Sequence, residues 1–270
     1  MKYLSIFLLI TISLAANGQH GLKQLWETDK VLPEPESVLI TRDFLYVSLV
    51  DGQALDKDGK GGIAKVGLNG KILNANWVSG LDGPKGMGLW KDKLYVANIT
   101  EVDVISTLTG RVESKIPVPG SVGLNDLVID QHGTVYVSDT ENGNVYRLIN
   151  DKPAVYLANL SHPNGLQAIG DILYVLTASD VFKIDASKNL MSIGKSREGA
   201  DGLAYTAKGE FITTVYSGLI YYLSNNRKEQ LLLDSRAQKK SSADIGYDAS
   251  KRIVYVPTLF RKSIIAYHLE

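Results

Sequence analysis

The feature of this sequence that most constrains its fold is a unit that recurs six times along the chain. Each copy begins with a polar residue at a tight corner, and two short apolar runs follow. The second run centres on an aromatic residue in all copies but one, and the central residues are Tyr46, Tyr95, Tyr136, Tyr174, Ile212 and Tyr255. A fixed period of about 40 residues is typical of repeat architectures, in which each unit buries its apolar face against its neighbours. The chain is therefore predicted to fold as a repeat protein.

The third copy indicates what one unit contains. Its segments rich in Val, Ile, Leu and Tyr are typical of strands and lie at residues 125–130, 134–140, 143–150 and 153–160. Short polar turns separate these segments. Because four antiparallel strands repeated radially form the blades of a β-propeller, the sequence predicts an all-β fold, a six-bladed β-propeller with four antiparallel strands per blade.

The two ends of the chain support this prediction. The sixth copy contains only three strand-like segments before the chain stops, whereas residues 21–27 form a spare strand-like segment ahead of the first copy. We expect this N-terminal strand to supply the outer strand of the last blade. Such closure covers a strand edge that would otherwise be open to aggregation.

Residues 1–19 are predicted to be a signal peptide, and residues 20–270 a single propeller domain. Lys2 precedes an apolar run at residues 3–15, which is too short to span a bilayer as a permanent helix. The alternative is a retained membrane anchor. The chain has no Cys, so no disulfide stabilises the fold. We expect an exported protein, periplasmic or secreted, with no membrane span after removal of the signal.

Composition and missing motifs narrow the function classes. The sequence has 29 Lys and Arg against 29 Asp and Glu, so it lacks the basic excess of a nucleic-acid-binding protein. It has no Gly-x-Ser-x-Gly motif and no phosphate-binding loop, which argues against a serine hydrolase and a nucleotide hydrolase. We expect a monomer whose partner is a small molecule.

The polar residue at the corner of each copy varies, although the central aromatic residue mostly repeats. The six corner residues are predicted to be Glu36, Lys85, Asn125, Asn164, Asp201 and Asp244. In a propeller each would begin an innermost strand at one mouth of the central channel, where the side chains meet. Carboxylate and amide oxygens are the ligands that calcium and magnesium prefer. The pattern predicts one divalent cation, calcium first, with magnesium, manganese or zinc as alternatives; for each ligand the structural alternative is a turn residue.

These corner motifs also resemble a known family. The first-copy Glu, the pair Asn125-Asp126, Pro163-Asn164-Gly165 and Asp201-Gly202 occur in the order found in the regucalcin, gluconolactonase and luciferin-regenerating-enzyme family. The resemblance covers essentially the whole chain after the signal. It implies a six-bladed propeller with one divalent metal at the channel mouth, and hydrolysis of a sugar lactone or related ester.

The resemblance implies a role for each site residue. Its metal ligands correspond to Glu36, Asn164 and Asp201, and Asn125 lies near both metal and substrate. Asp201 would also orient or deprotonate the attacking water, and His162 is a second candidate base because histidine ionises near neutral pH. The remaining predicted substrate-binding residues, besides Asn125, are Asp126, Lys85 and Asp244.

The chain also departs from the family pattern. Ser37 and Val38 replace the usual Gly-Pro after the first glutamate, Leu127 replaces a glycine, and Gly123 stands where an arginine is frequent. These differences favour an alternative from another class, a non-catalytic propeller of the NHL type that binds a protein, peptide or glycan.

Overall fold

The computed structural model describes residues 19–270, and within them the chain forms 24 strands and two short 3-10 helices, Arg236–Gln238 and Leu259–Arg261. The predicted signal peptide lies almost entirely outside the described residues. In the described part of the chain, no helix has the length and apolar character that crossing a membrane requires.

The strands form six sheets of four strands each. The first strand of the chain, β1, is Leu22–Glu27. Blade 1 contains β2 (Pro35–Ile40), β3 (Phe44–Leu49), β4 (Gly61–Gly67) and β5 (Ile72–Leu81). Blade 2 contains β6 (Pro84–Trp90), β7 (Lys93–Asn98), β8 (Glu101–Ser106) and β9 (Val112–Pro117). Blade 3 contains β10 (Leu124–Ile129), β11 (Val135–Asp139), β12 (Asn144–Ile149) and β13 (Lys152–Leu157).

The remaining blades follow the same order. Blade 4 contains β14 (Leu166–Ile169), β15 (Ile172–Leu176), β16 (Asp180–Ile184) and β17 (Leu190–Lys195). Blade 5 contains β18 (Ala200–Ala207), β19 (Glu210–Val215), β20 (Leu219–Leu223) and β21 (Glu229–Asp234). Blade 6 contains β22 (Gly246–Asp248), β23 (Ile253–Pro257) and β24 (Ile264–Leu269), followed by β1.

The last blade is completed by the N-terminal strand, as predicted from the sequence. β1 runs antiparallel to β24, from the pair Leu22–Leu269 to the pair Glu27–Ile265. Every blade is therefore a four-stranded antiparallel sheet, and the predicted six-bladed β-propeller is confirmed.

The apolar core lies between the blades. Six clusters of buried side chains each join residues of two adjacent blades, and one of them packs Val47 of blade 1 against Tyr255 and Ile264 of blade 6. The innermost strands β2, β6, β10, β14, β18 and β22 contact one another in a closed ring. The ring therefore holds its inner strands rigidly around one axis, where the candidate site is found.

Candidate functional site

Four of the six predicted corner residues, those of blades 1, 2, 3 and 5, lie at bulges in the innermost strands, whereas Asn164 and Asp244 precede β14 and β22. In blade 1 the pair Pro35–Leu49 is followed by the pair Val38–Val47, so two residues of β2, Glu36 among them, face a single residue of β3. The same irregularity interrupts the pairing of β6, β10 and β18. Bulges re-aim side chains and are frequent beside active sites. Here they turn the corner side chains out of the sheet and into a cavity.

A hydroxyl group opposite the bulge stabilises it in three blades. Ser48 Oγ accepts a hydrogen bond from the backbone amide of Ser37 (3.0 Å) in the bulge of blade 1. In the same way, Ser138 Oγ accepts from the Asp126 amide (3.0 Å) and Thr214 Oγ1 from the Gly202 amide (2.7 Å). A bulge amide has no partner in the strand ladder, so the hydroxyl supplies the missing acceptor. The sequence analysis missed these residues, although each stands two positions after the repeated central residue of its copy.

The corner residues of blades 1 to 5 line one cavity of about 450 Å³ at this mouth of the propeller. Glu36 and Asp201, the two predicted carboxylate ligands, share it, together with Lys85 and the predicted amide ligands Asn125 and Asn164. His162 also lines this cavity, but its side chain is exposed and its φ is 47°. The structure therefore brings together all of the predicted metal ligands and both candidate catalytic residues.

Four buried oxygen atoms at this cavity have no hydrogen-bond partner. They are Glu36 Oε2, Asn125 Oδ1, Asn164 Oδ1 and Asp201 Oδ1. In the described part of the chain, only two other buried side-chain polar atoms lack a partner, Asp103 Oδ1 and the Tyr255 hydroxyl. Leaving a buried acceptor unpaired costs about 1–3 kcal/mol, so a cluster of four indicates a missing partner rather than chance.

Burial strongly perturbs the carboxyl groups near the axis. It raises the pKa of Glu36 to about 8, against the attraction of the Lys85 ammonium and with further upward contributions from Asp201 and Asp126. It raises the pKa of Asp201 to about 7, again opposed by Lys85. Both groups are desolvated and mutually repulsive as anions. A cation bound between them would favour their charged forms.

Among residues 19–270, Lys85 is the only lysine or arginine on the wall of this cavity. It is partly buried, and no carboxylate lies within ion-pair distance of its ammonium group in the described residues. Its charge therefore acts on Glu36 and Asp201 at longer range and leaves its N–H donors free for a ligand.

Two of the predicted substrate-binding residues face elsewhere. Asp126 and Asp244 line a second cavity of about 360 Å³ and do not line the first. The Asp126 carboxylate accepts the amides of Leu127 (2.6 Å) and Leu166 (2.5 Å), and the Ser37 hydroxyl donates to Asp244 Oδ2 (2.5 Å). Both carboxyls thus connect neighbouring blades, which corrects the expectation that they contact a substrate beside Lys85.

The register explains the error for Asp244. Ala243 donates its amide to Pro257 O (3.1 Å), as Asn164 donates to Leu176 O (2.9 Å) in blade 4. Ala243 therefore occupies the corner of blade 6, and Asp244 stands one position beyond it. The strand pairing agrees: in blade 1 the central Tyr46 pairs with Leu39, three positions after the corner, and in blade 6 the central Tyr255 pairs with Gly246, three positions after Ala243. Burial raises the pKa of Asp244 well above its usual range and that of Asp126 to about 6.

The connection between β3 and β4, residues 50–60, extends over the cavity and contacts blades 2 and 3. Lys57 Nζ donates to Thr100 Oγ1 (2.8 Å). A Cβ atom added at Gly123 would lie 2.9 Å from Glu141 Cγ and 3.4 Å from Leu55 Cδ2. The position at which the family frequently carries an arginine is therefore filled by other side chains, and a longer residue would not fit without displacing them.

The donor set fits a hard divalent cation. In residues 19–270 no group of three or more His, Cys, Asp or Glu side chains is placed to hold a metal ion. The predicted ligands are instead two carboxylates and two amide oxygens, and calcium prefers oxygen ligands of these kinds. Two carboxylates would also balance the charge of a divalent ion, and the four unpartnered oxygens would gain a partner.

Comparison with models of protein families found no match, and neither did comparison with curated protein sequences. Solved structures do match. A catalytically inactive virginiamycin B lyase from Staphylococcus aureus, solved with quinupristin, is 12% identical with a TM-score of 0.65, over 93% of this chain and 100% of that one. A streptogramin B lyase is 12% identical with a TM-score of 0.64, over 93% of this chain and 97% of that one.

A gluconolactonase from Xanthomonas campestris is also similar. It is 13% identical with a TM-score of 0.60, and the match covers 92% of this chain and 99% of that one. At such low identity the comparisons establish a shared fold. The expected likeness to gluconolactonase-type propellers is therefore confirmed at the level of the fold, and the site residues stay predictions.

Proposed function

We propose that this protein is an exported, divalent-metal-dependent hydrolase of a lactone or small ester, with the cation held by Glu36, Asn125, Asn164 and Asp201. The observation that carries the proposal is the convergence of four unpartnered, buried oxygen atoms on one cavity. A non-catalytic propeller that binds a protein or glycan through its face has no need for such a costly cluster beneath its surface.

A cation bound there would supply a Lewis acid that polarises the substrate carbonyl. Asp201 has one oxygen without a partner at the cavity, so it can orient a water molecule or accept its proton. His162 is the second candidate for this role and stands at the exposed rim. Lys85 can donate to the oxyanion or to the leaving alkoxide, because its ammonium is not engaged in an ion pair within the described residues.

The names of the structural neighbours agree with a small-molecule substrate. They include a gluconolactonase and lyases named for virginiamycin B and streptogramin B. The mass of the product distinguishes hydrolysis from the elimination that a lyase catalyses, because hydrolysis adds the mass of one water molecule to the substrate and elimination adds nothing.

The first test measures thermal unfolding of the chelator-treated protein with and without calcium. A cation at about 100 times its dissociation constant adds roughly 2.7 kcal/mol to the free energy of unfolding, which raises Tm by roughly 5–10 °C. Asp201→Ala and Asn164→Ala are each expected to remain folded and to lose this rise. Hydrolysis of a panel of lactones and aryl esters, followed by acid release, is expected to be lost in the same variants.

Magnesium, manganese and zinc are measured beside calcium, and His132→Ala serves as a control because His132 is exposed and does not line this cavity. A wild-type protein whose Tm responds to none of the four cations would contradict the metal site. A cation response that survives both variants would contradict the ligand assignment.

A further inference from the structure

The candidate cavity has two chemically different walls. Blades 2 to 4 contribute a polar wall, on which Lys85, Asn125, Thr140, His162 and Asn164 lie. Blades 5, 6 and 1 contribute Glu34, Glu36, Gln53, Glu198 and Asp201, and also a surface of apolar side chains. We call this second surface the apolar wall; it consists of Val50, Ala54, Tyr216, Leu259 and Phe260.

Two large aromatic side chains of the apolar wall are exposed. Phe260 is 64% exposed and Tyr216 is 45% exposed, and their rings meet edge to face with centroids 6.3 Å apart. Exposed aromatic groups beside a cavity gain free energy when an apolar ligand covers them. The pair therefore offers a contact surface for an apolar part of the substrate.

The backbone beneath the aromatic pair is held in place. The Thr258 hydroxyl donates to Ser263 O (2.7 Å), the Tyr216 amide donates to Gly199 O (2.8 Å), and the Arg261 guanidinium pairs with Glu27 at 2.7 Å. The 3-10 helix that carries Phe260 is thus tied to the strand that closes the ring. A preformed wall loses little conformational entropy when a ligand binds.

Two polar groups that line the cavity already take part in hydrogen bonds within the protein. The Thr140 hydroxyl donates to Pro163 O (2.8 Å), and the Glu34 carboxylate accepts the Gly52 amide (2.9 Å). A polyhydroxylated ligand needs a partner for each hydroxyl that it buries, and of the five residues of the apolar wall only Tyr216 carries a hydrogen-bonding side chain. The cavity suits a ligand with one polar end and one apolar end.

We propose that the substrate is a lactone or ester carrying an aromatic or alkyl group, and that this group lies against Tyr216 and Phe260 while the carbonyl lies over Glu36, Asn164 and Asp201. This inference rests on the proposed function for the reaction and adds the substrate class. It excludes a free sugar lactone as the preferred substrate.

The test compares two six-membered lactones, dihydrocoumarin with its fused aromatic ring and glucono-1,5-lactone with its hydroxyls. Wild-type kcat/KM is expected to be higher for dihydrocoumarin. Phe260→Ala is expected to raise KM for dihydrocoumarin about tenfold and leave kcat nearly unchanged, because it removes binding area and no reacting group. Leu108→Ala is the matched control, since Leu108 is 83% exposed and does not line the cavity.

The outcomes separate this inference from the proposed function. Preferred hydrolysis of glucono-1,5-lactone, with Phe260→Ala like wild type, would overturn the substrate class and leave the hydrolase intact. If neither lactone is hydrolysed, calorimetric binding of dihydrocoumarin that weakens in Phe260→Ala still supports the apolar wall, although the reaction fails. If dihydrocoumarin neither reacts nor binds, the inference is wrong.

Discussion

The carboxyl groups at the channel mouth lie in an environment that differs strongly from water. Glu36 and Asp201 are buried, lie near one another, and each has an oxygen without a partner. Buried charges in proteins are normally paired or coordinate a metal. In the metal-free protein these groups therefore remain protonated to unusually high pH, and this has a consequence for stability.

Stability of the chelator-treated protein is expected to fall as pH rises from about 4.5 to 8. The pKa of Glu36 in the folded protein is about 8, against about 4.3 for an unfolded Glu, so the folded state binds more protons across this window. Since the free energy of unfolding falls with pH wherever the folded state holds more protons, Tm decreases there. Glu36→Gln is expected to make the decrease smaller, while the raised pKa of Asp201 maintains part of it, as measured by thermal unfolding in chelator.

Saturating calcium should oppose this decrease, because a cation binds the deprotonated carboxylates. Asn164→Ala is the matched control, since it removes a predicted ligand but no ionisable group. It should keep a decrease in chelator at least as large as that of wild type, because the Asn164 hydrogen bond lowers the pKa of Asp201, and it should lose the calcium effect. A Glu36→Gln protein with the same pH slope as wild type would show that Glu36 does not cause the dependence.

At the scale of the strands, the glycine of the Asn-Gly corner in blade 4 has a role in packing the inner strands. A Cβ atom added at Gly165 would lie 2.7 Å from both Asp201 O and Leu203 N of the next inner strand. The Gly165 amide donates to Asp201 O (2.9 Å). The glycine after the corner residue therefore lets adjacent inner strands approach closely, and it brings Asn164 and Asp201 to the same cavity.

Gly165→Ala is expected to destabilise the protein by about 1–3 kcal/mol, the usual cost of overpacking, and to weaken the calcium response. The added methyl would push blades 4 and 5 apart beneath the site. Urea unfolding measures the first effect and the calcium-dependent Tm the second. Gly21→Ala is the control, because a Cβ atom there meets only Glu270 Oε2 at 4.0 Å. Equal stability of the two variants would contradict the close approach.

For the whole molecule, closure of the ring depends on the N-terminal strand. Trp26 of β1 packs against Tyr255, with ring centroids 5.8 Å apart, and donates its indole N–H to Leu68 O (3.2 Å). This side chain thus contacts the last blade and the first across the seam where the two ends of the chain meet.

Trp26→Ala is expected to lower the free energy of unfolding by about 3 kcal/mol, because it removes a large side chain from the cluster that joins the ends of the ring. Leu25→Ala, on the same strand, changes a side chain that is 46% exposed and should cost much less. Both values come from urea unfolding. Similar losses in the two variants would indicate that packing at the seam contributes little.

The sequence by itself determined the blade number, the four strands per blade, the ring closure and the corner residues of blades 1 to 5 that line the first cavity. These follow from local patterns, because strand periodicity and turns repeat in each copy. The sequence also indicated that Gly123 departs from the family pattern. The structure gives a physical reason, because Glu141 and Leu55 occupy the space that a longer side chain at position 123 would need.

Only the tertiary structure decided which polar side chain faces which cavity. Successive residues of a strand point to opposite sides of the sheet. Asp244 stands one position after the corner of blade 6, so its side chain lines the second cavity, and Asp126 lines the same cavity. The apolar wall was equally invisible in the sequence, because Tyr216, Phe260 and Ala54 come from three blades. Their proximity depends on the ring as a whole, and no local pattern encodes it.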